Sequence, residues 1–76
     1  MPSAFHRNLT TAQAHGWTAR SDDYDTTTVF TRKGRKLTVW YDAAGRTVSA
    51  IATGDKAGHD GVVAQGYAED FLKARP

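Results

Sequence analysis

The chain predicts a small α+β domain of order α-β-β-β-β-α, an antiparallel β-meander with its helices on one face. Two observations carry that expectation. Residues 26–53 contain two tight hairpin signals in succession, and an apolar stripe of helical period lies on each side of them. With 76 residues, residues 1–76 make a single domain near the lower limit for one core. A chain of this size buries only about 60% of its unfolded surface, which leaves little stability to spare for a strained active site.

Residues 1–8 read as a loose arm or an early helical turn. Thr10-Thr11-Ala12-Gln13 matches a capping box, in which hydroxyl and amide side chains satisfy backbone donors reciprocally. Gly16 after His15 is a left-handed stop, so a helix ends at His15 and can begin as early as Ser3. Phe5, Leu9 and Ala12 form its apolar stripe. Residues 17–21 read as a first strand, with Trp17, Ala19 and Ser21 on one face and Thr18 and Arg20 on the other. Asp22-Asp23-Tyr24-Asp25 is a turn, since aspartates bond their own backbone there.

Residues 26–32 are the best strand, with four threonines, Val29 and Phe30. Gly34-Arg35 suits a type II′ turn, which pairs Phe30 with Val39, Thr28 with Tyr41 and Arg32 with Leu37. Phe30, Leu37, Val39 and Tyr41 then share the core face, and Val29, Thr31, Thr38 and Trp40 share the outer one. A three-residue loop would instead put Val29 with the core set. Asp42-Ala43-Ala44-Gly45 makes the second turn. In the strand over 47–53, Val48, Ala50 and Ala52 belong with the core set. Ile51 then points outward near Trp40, or inward if the loop is one residue shorter. Residues 54–61 form a Gly-rich polar connection, and Asp60 is the N-cap of a last helix running to about Arg75. Val63, Tyr67 and Phe71, flanked by Ala64, Ala68 and Leu72, give that helix a broad sheet-facing stripe.

Composition narrows the function classes. The chain has 10 Lys+Arg against 8 Asp+Glu, a formal charge of +2, and no cysteine, so disulfide staples and cysteine-based zinc sites are excluded. No apolar run reaches the roughly 18 residues a membrane span needs, and no apolar segment of a secretory signal follows Met1. The expectation is a cytoplasmic protein with no membrane association and no cofactor.

Candidate sites are surfaces. Trp40 with Val29, Thr38 and Ile51 makes an aromatic and aliphatic patch on the outer sheet face. Trp, Tyr and Arg are the residues enriched at binding hot spots. That patch points to a protein partner or self-association. The first hairpin tip carries Arg32, Lys33, Arg35 and Lys36, four cations able to neutralise phosphates. It supports an alternative reading as a nucleic-acid binder, against the simpler reading of a solvated turn that discourages edge pairing. Residues 54–61 lack the Gly-Lys-Ser/Thr ending of a phosphate loop. Asp55, His59 and Asp60 could coordinate a metal, but neighbouring His and Asp residues in a loop are usually incidental, and Asp22, Asp23 and Asp25 lack the Gly and terminal Glu of a calcium loop. His6, His15 and His59 are far apart with no paired nucleophile. No metal site and no enzyme activity is expected.

Ala14-His15-Gly16-Trp17, the hairpins and Trp40-Tyr41-Asp42-Ala43-Ala44-Gly45-Arg46 resemble small accessory proteins of actinobacteria and their bacteriophages, over residues 9–54. The resemblance implies a protein, phage-encoded in some cases, that acts by binding host or phage components, and it supplies no catalytic residue. The element order and the Gly16-Trp17 step are also similar to the HicA-type toxins, small RNases. Those place a catalytic His in the turn or strand after the first strand. Asp22-Asp23-Tyr24-Asp25 occupies that region here and contains no His. This second resemblance therefore implies at most a non-catalytic relative with a double-stranded-RNA-binding shape.

Overall fold

The structure, a computed structural model, describes residues 3–22, 26–54 and 58–74. The expectations for residues 23–25, 55–57 and 75 lie outside the described residues. Helix α1 (Ala4–Ala14) is followed by β1 (Thr18–Ser21), β2 (Thr27–Arg32), β3 (Arg35–Tyr41), β4 (Thr47–Ala52), β5 (His59–Asp60) and α2 (Gly61–Lys73). The strands form one antiparallel sheet in the order β1-β2-β3-β4-β5. The α+β meander is as expected. The addition is β5, two residues of the Gly-rich connection that pair with Ser49 and Ala50 of β4.

Helix α1 starts earlier than the capping-box signal suggests. Ser3 is the N-cap, its Oγ accepting the His6 N–H at 3.3 Å. Residues 4–8 are therefore helix and not an arm, and Thr10 to Gln13 lie in the helix interior. The C-terminus follows the expectation. His15 is the C-cap, Gly16 takes φ +82°, and the Gly16 and Trp17 amides donate to the Gln13 and Ala12 carbonyls. These two bonds are the Schellman pattern, and Gly supplies the left-handed residue it requires.

The first hairpin turns one residue earlier than a type II′ reading places it. Its two loop residues are Lys33 and Gly34, with φ of +49° and +81°, the paired positive values of a type I′ turn. Phe30 therefore faces Leu37, Thr28 faces Val39 and Arg32 faces Arg35. The expected pairing is out by two residues. Because side chains alternate with period two, a slip of two leaves every residue on its expected face.

The second turn is held by Asp42, whose Oδ1 accepts the Ala44 and Arg46 amides at 3.0 and 2.9 Å. Gly45 adopts φ +80°, and a Cβ there would lie 2.8 Å from Ser3 Cβ. Its carbonyl accepts the Phe5 N–H at 3.0 Å, so the start of α1 is seated on this turn. Just beyond it, Trp40 pairs with Ser49 but Tyr41 pairs with Thr47. Val48 is thus the extra residue of a β-bulge. Its side chain turns outward, 47% exposed, and not into the core with Ala50 and Ala52.

Both helices lie on the face that carries Phe30, Leu37, Val39, Tyr41, Ala50 and Ala52. Phe30, Leu37, Val39 and Leu72 are fully buried, each worth about 1.5–3 kcal/mol of apolar transfer. The buried line of α2 is Ala64, Ala68 and Leu72, one position round from the stripe expected at Val63, Tyr67 and Phe71. Alanine lets the helix axis approach the sheet closely, and Tyr67 and Phe71 pack at the margin. Val63 is left exposed. Trp17 closes one end, its Nε1 donating to the Leu72 carbonyl at 2.8 Å. Among the described residues no helix is long and apolar enough to cross a membrane.

Candidate binding surface

Among the described residues no helix lies on the opposite face of the sheet, and strand register sets its side chains in rows. Val29 lies opposite Thr38, and Thr38 opposite Ile51. Arg20 extends this middle row on β1, opposite Val29. Toward the first hairpin tip, the next row runs Thr18, Thr31 and Lys36. Toward the other end it runs Thr27, Trp40, Ser49 and Asp60. Neighbouring strands stand about 4.8 Å apart and alternate residues about 6.8 Å apart. The four expected contact residues, Val29, Thr38, Trp40 and Ile51, therefore fall on one contiguous patch. Trp40 is 36% exposed and Ile51 42% exposed, while Val29 and Thr38 are half-buried by their neighbours.

Shallow hollows flank the patch. One of about 460 Å³ lies over β2 between Arg20 and Lys36, and a smaller one of about 210 Å³ separates Lys36 from Ile51. Among the described residues neither Arg20 nor Lys36 has a carboxylate within ion-pair distance.

The basic tip is not one cluster. Alternation puts Arg32 and Arg35 on the helix side, Lys36 on the outer face, and Lys33 in the turn itself. Arg35 lies over the Phe71 ring, its guanidinium carbon 4.5 Å from the centroid, beside the last turn of α2. Arg32 runs against Gly16, just past the end of α1, where a Cβ would meet its Nε at 3.8 Å. Both cations thus sit at helix C-termini, where the macrodipole favours positive charge. A hollow of about 720 Å³ separates the tip from Gly16 and Thr18. Arg46 is at the far end of the sheet and pairs with Asp42 at 3.0 Å.

Polar groups inside the fold are tied to each other. Asn8 is fully buried on α1; its Nδ2 donates to the Tyr41 hydroxyl at 3.0 Å and to Gln65 Oε1 at 3.4 Å. Gln65 Nε2 donates back to Asn8 Oδ1 at 3.1 Å, and Thr47 Oγ1 donates to Gln65 Oε1. Burial pushes the Tyr41 phenol above its ordinary pKa, against a lesser opposing pull from its Asn8 and Thr28 hydrogen bonds. Asp42 is held below the ordinary aspartate value, chiefly by the Arg46 amide. His59 stacks on Tyr67 with centroids 4.0 Å apart, which turns it to the helix side of the sheet. No group of three His, Asp or Glu able to hold a metal occurs among the described residues.

Arg20 belongs to the outer patch, and the alternation in residues 17–21, which sets it beside Thr18, is the signal that places it there. Val62, 91% exposed, and Val48 line a second, apolar groove of about 660 Å³ near the start of α2. Nothing in the periodicity singles out either valine, because one depends on the bulge and the other on which stripe of α2 faces the sheet. Compared with known proteins, the chain matches no family model, no curated protein and no solved structure.

Proposed function

We propose that this chain is a small non-enzymatic protein-binding module whose contact surface is the outer sheet face around Trp40. The observation that carries the reading is the row Val29, Thr38 and Ile51 with Trp40 beside it, an apolar surface left open while both helices pack on the other side. Leaving an indole and an isoleucine partly wet on a sheet is unfavourable, and covering them with another protein surface removes that cost. Arg20 and Lys36 at the margin supply orientation and long-range steering.

The test is capture from a lysate of the source cell on immobilised protein, compared with Trp40→Ala shown by circular dichroism to be folded. The substitution should strongly reduce the captured material. Undiminished capture by the variant would refute the assignment of this face.

The cation-lined hollow at the hairpin tip supports a second reading, nucleic-acid binding. Arg32, Lys33, Arg35 and Lys36 all line the hollow, with Arg35 also lying over the Phe71 ring. Replacing Lys33, Arg35 and Lys36 by Ala should flatten the salt dependence of any such affinity. Failure of the unmodified protein to bind heparin at low salt removes this reading.

A further inference from the structure

We infer that the partner of the outer face is a second copy of the same chain, packed face to face with its strands reversed so that Lys36 of each copy lies over Trp40 of the other. The inference rests on the binding-face reading above and names its occupant.

The central strand of the patch reads Lys36, Thr38, Trp40, with the cation and the indole equally spaced on either side of Thr38. A two-fold axis lying along the middle row, across the strands, exchanges those two positions. It also sets Thr38 on Thr38, Val29 on Val29 and Ile51 on Ile51, which is how an isologous interface matches itself. The charges follow the same reversal. Lys36 lies in the tip half of the face with Lys33 in the turn beyond it, while Asp60 ends the row containing Trp40. Asp22, its carboxylate bonded to the Thr26 hydroxyl and the Thr26 and Thr27 amides, lies at the β1 end of that row. End-for-end stacking brings the positive half of one copy over the negative half of the other. Parallel stacking would set like on like.

One contact opposes the arrangement. Arg20 lies on the axis at the sheet edge and meets its own counterpart. Packed sheets cross at about 30°, which carries these two edge side chains apart toward solvent. A polynucleotide fits the face less well. Trp40 is the one aromatic among the described residues of the outer rows, and the aliphatic centre offers no stacking plane for successive bases.

The area places the contact in the small, transient class of interfaces. Three rows across four strands cover roughly 400 Å² per copy, about half of what a standard interface contributes from each partner. The dimer is therefore weak and in rapid exchange, with a dissociation constant on the order of 0.1–1 mM.

Amide spectra of isotopically labelled protein, recorded from about 20 μM to about 1 mM alongside sedimentation equilibrium, test it across that range. Concentration-dependent shifts should centre on Val29, Thr38, Trp40 and Ile51 and follow one monomer–dimer isotherm. Trp40→Ala and Lys36→Glu should each weaken association by about tenfold, because each removes both cation–π contacts. The double variant should lose little more than the stronger single one. A protein monomeric at the highest concentration overturns the inference, as does a dimer whose shifts map to the β1 edge or the helices. If the protein is monomeric and Trp40→Ala still abolishes lysate capture, the binding face stands and its occupant is foreign. If neither measurement responds to Trp40, both readings fail.

Discussion

Replacing Asn8 by Ala should be among the most damaging changes available in this fold, although Asn8 touches no candidate binding residue. Its amide joins α1 to α2 through Gln65 and α1 to the sheet through Tyr41. Truncation removes two well-formed neutral hydrogen bonds, each worth about 1 kcal/mol net, and leaves the Tyr41 hydroxyl and the Gln65 amide short of a partner. Adding the small void, the expected loss is about 2–3 kcal/mol. A domain of this length has a total stability of roughly 4–11 kcal/mol, so the melting temperature should fall by about 10–20 °C. Urea unfolding followed by tryptophan emission measures the loss, and a cycle with Gln65→Ala isolates the reciprocal amide pair, with an expected coupling of about 1 kcal/mol. Thr10→Ala, at an exposed position on the same helix, should stay within about 0.5 kcal/mol of the parent and serves as the control. A coupling below about 0.3 kcal/mol, or an Asn8→Ala loss no larger than that of Thr10→Ala, would refute the claim that the two helices are registered through these amides.

Lys33→Asn should stabilise the protein by about 0.5–1 kcal/mol, because Asn tolerates the left-handed first position of a type I′ turn better than Lys does; an unchanged urea midpoint argues against that turn. Burial raises the Tyr41 pKa, so the stability this residue contributes is complete below the ordinary tyrosine value of about 10 and is lost as pH rises through the folded value. Tyr41→Phe should flatten stability in the alkaline range, and an unaltered alkaline limb would count against it. Asp42 has the opposite sign. Its lowered pKa gives a contribution present above the ordinary aspartate value of about 3.9 and lost as pH falls through the folded one, so Asp42→Asn should soften acid unfolding. Iodide should quench only part of the tryptophan emission, since Trp40 is 36% exposed and Trp17 is 5% exposed; in Trp40→Phe the remaining emission should resist iodide.

The side of the sheet on which each residue of β2 and β3 lies was legible because it depends on parity alone. Phe30, Leu37, Val39 and Tyr41 had to fall together whichever two-residue turn formed. The turn itself was not legible, since a type II′ reading needs one left-handed residue, supplied by Gly34. The type I′ turn that forms also places Lys33 there, a local penalty that is offset by sheet pairing on both sides. Val48 escaped because a bulge cannot be read from alternation; it depends on how the Asp42 turn meets Tyr41. The α2 stripe was misplaced by one position because Val63, Tyr67 and Phe71 outweigh Ala64 and Ala68 in hydrophobicity, whereas close helix-to-sheet approach selects the smaller side chains. Ser3 was within the range allowed for the start of the helix, and it is the N-cap; the capping-box motif at Thr10 lies too far along to start the helix seated on Gly45. For the binding surface, Val29, Thr38 and Trp40 were readable from period-two alternation across a two-residue loop, whereas the side of Ile51 was left open because it depends on the length of the second loop. The division of the basic tip was not readable, because it requires knowing where the two helices end.

The slip of two in the first hairpin also bears on how relatives of this chain can vary. Gaining or losing a pair of residues at the Lys33-Gly34 loop lengthens or shortens the ribbon and conserves inside and outside. An odd indel there would turn one whole strand over, drowning Leu37 and Val39 while forcing Trp40 toward the helices. Divergent versions should therefore differ at this loop in even steps, and an odd step should be accompanied by a new bulge that restores the phase.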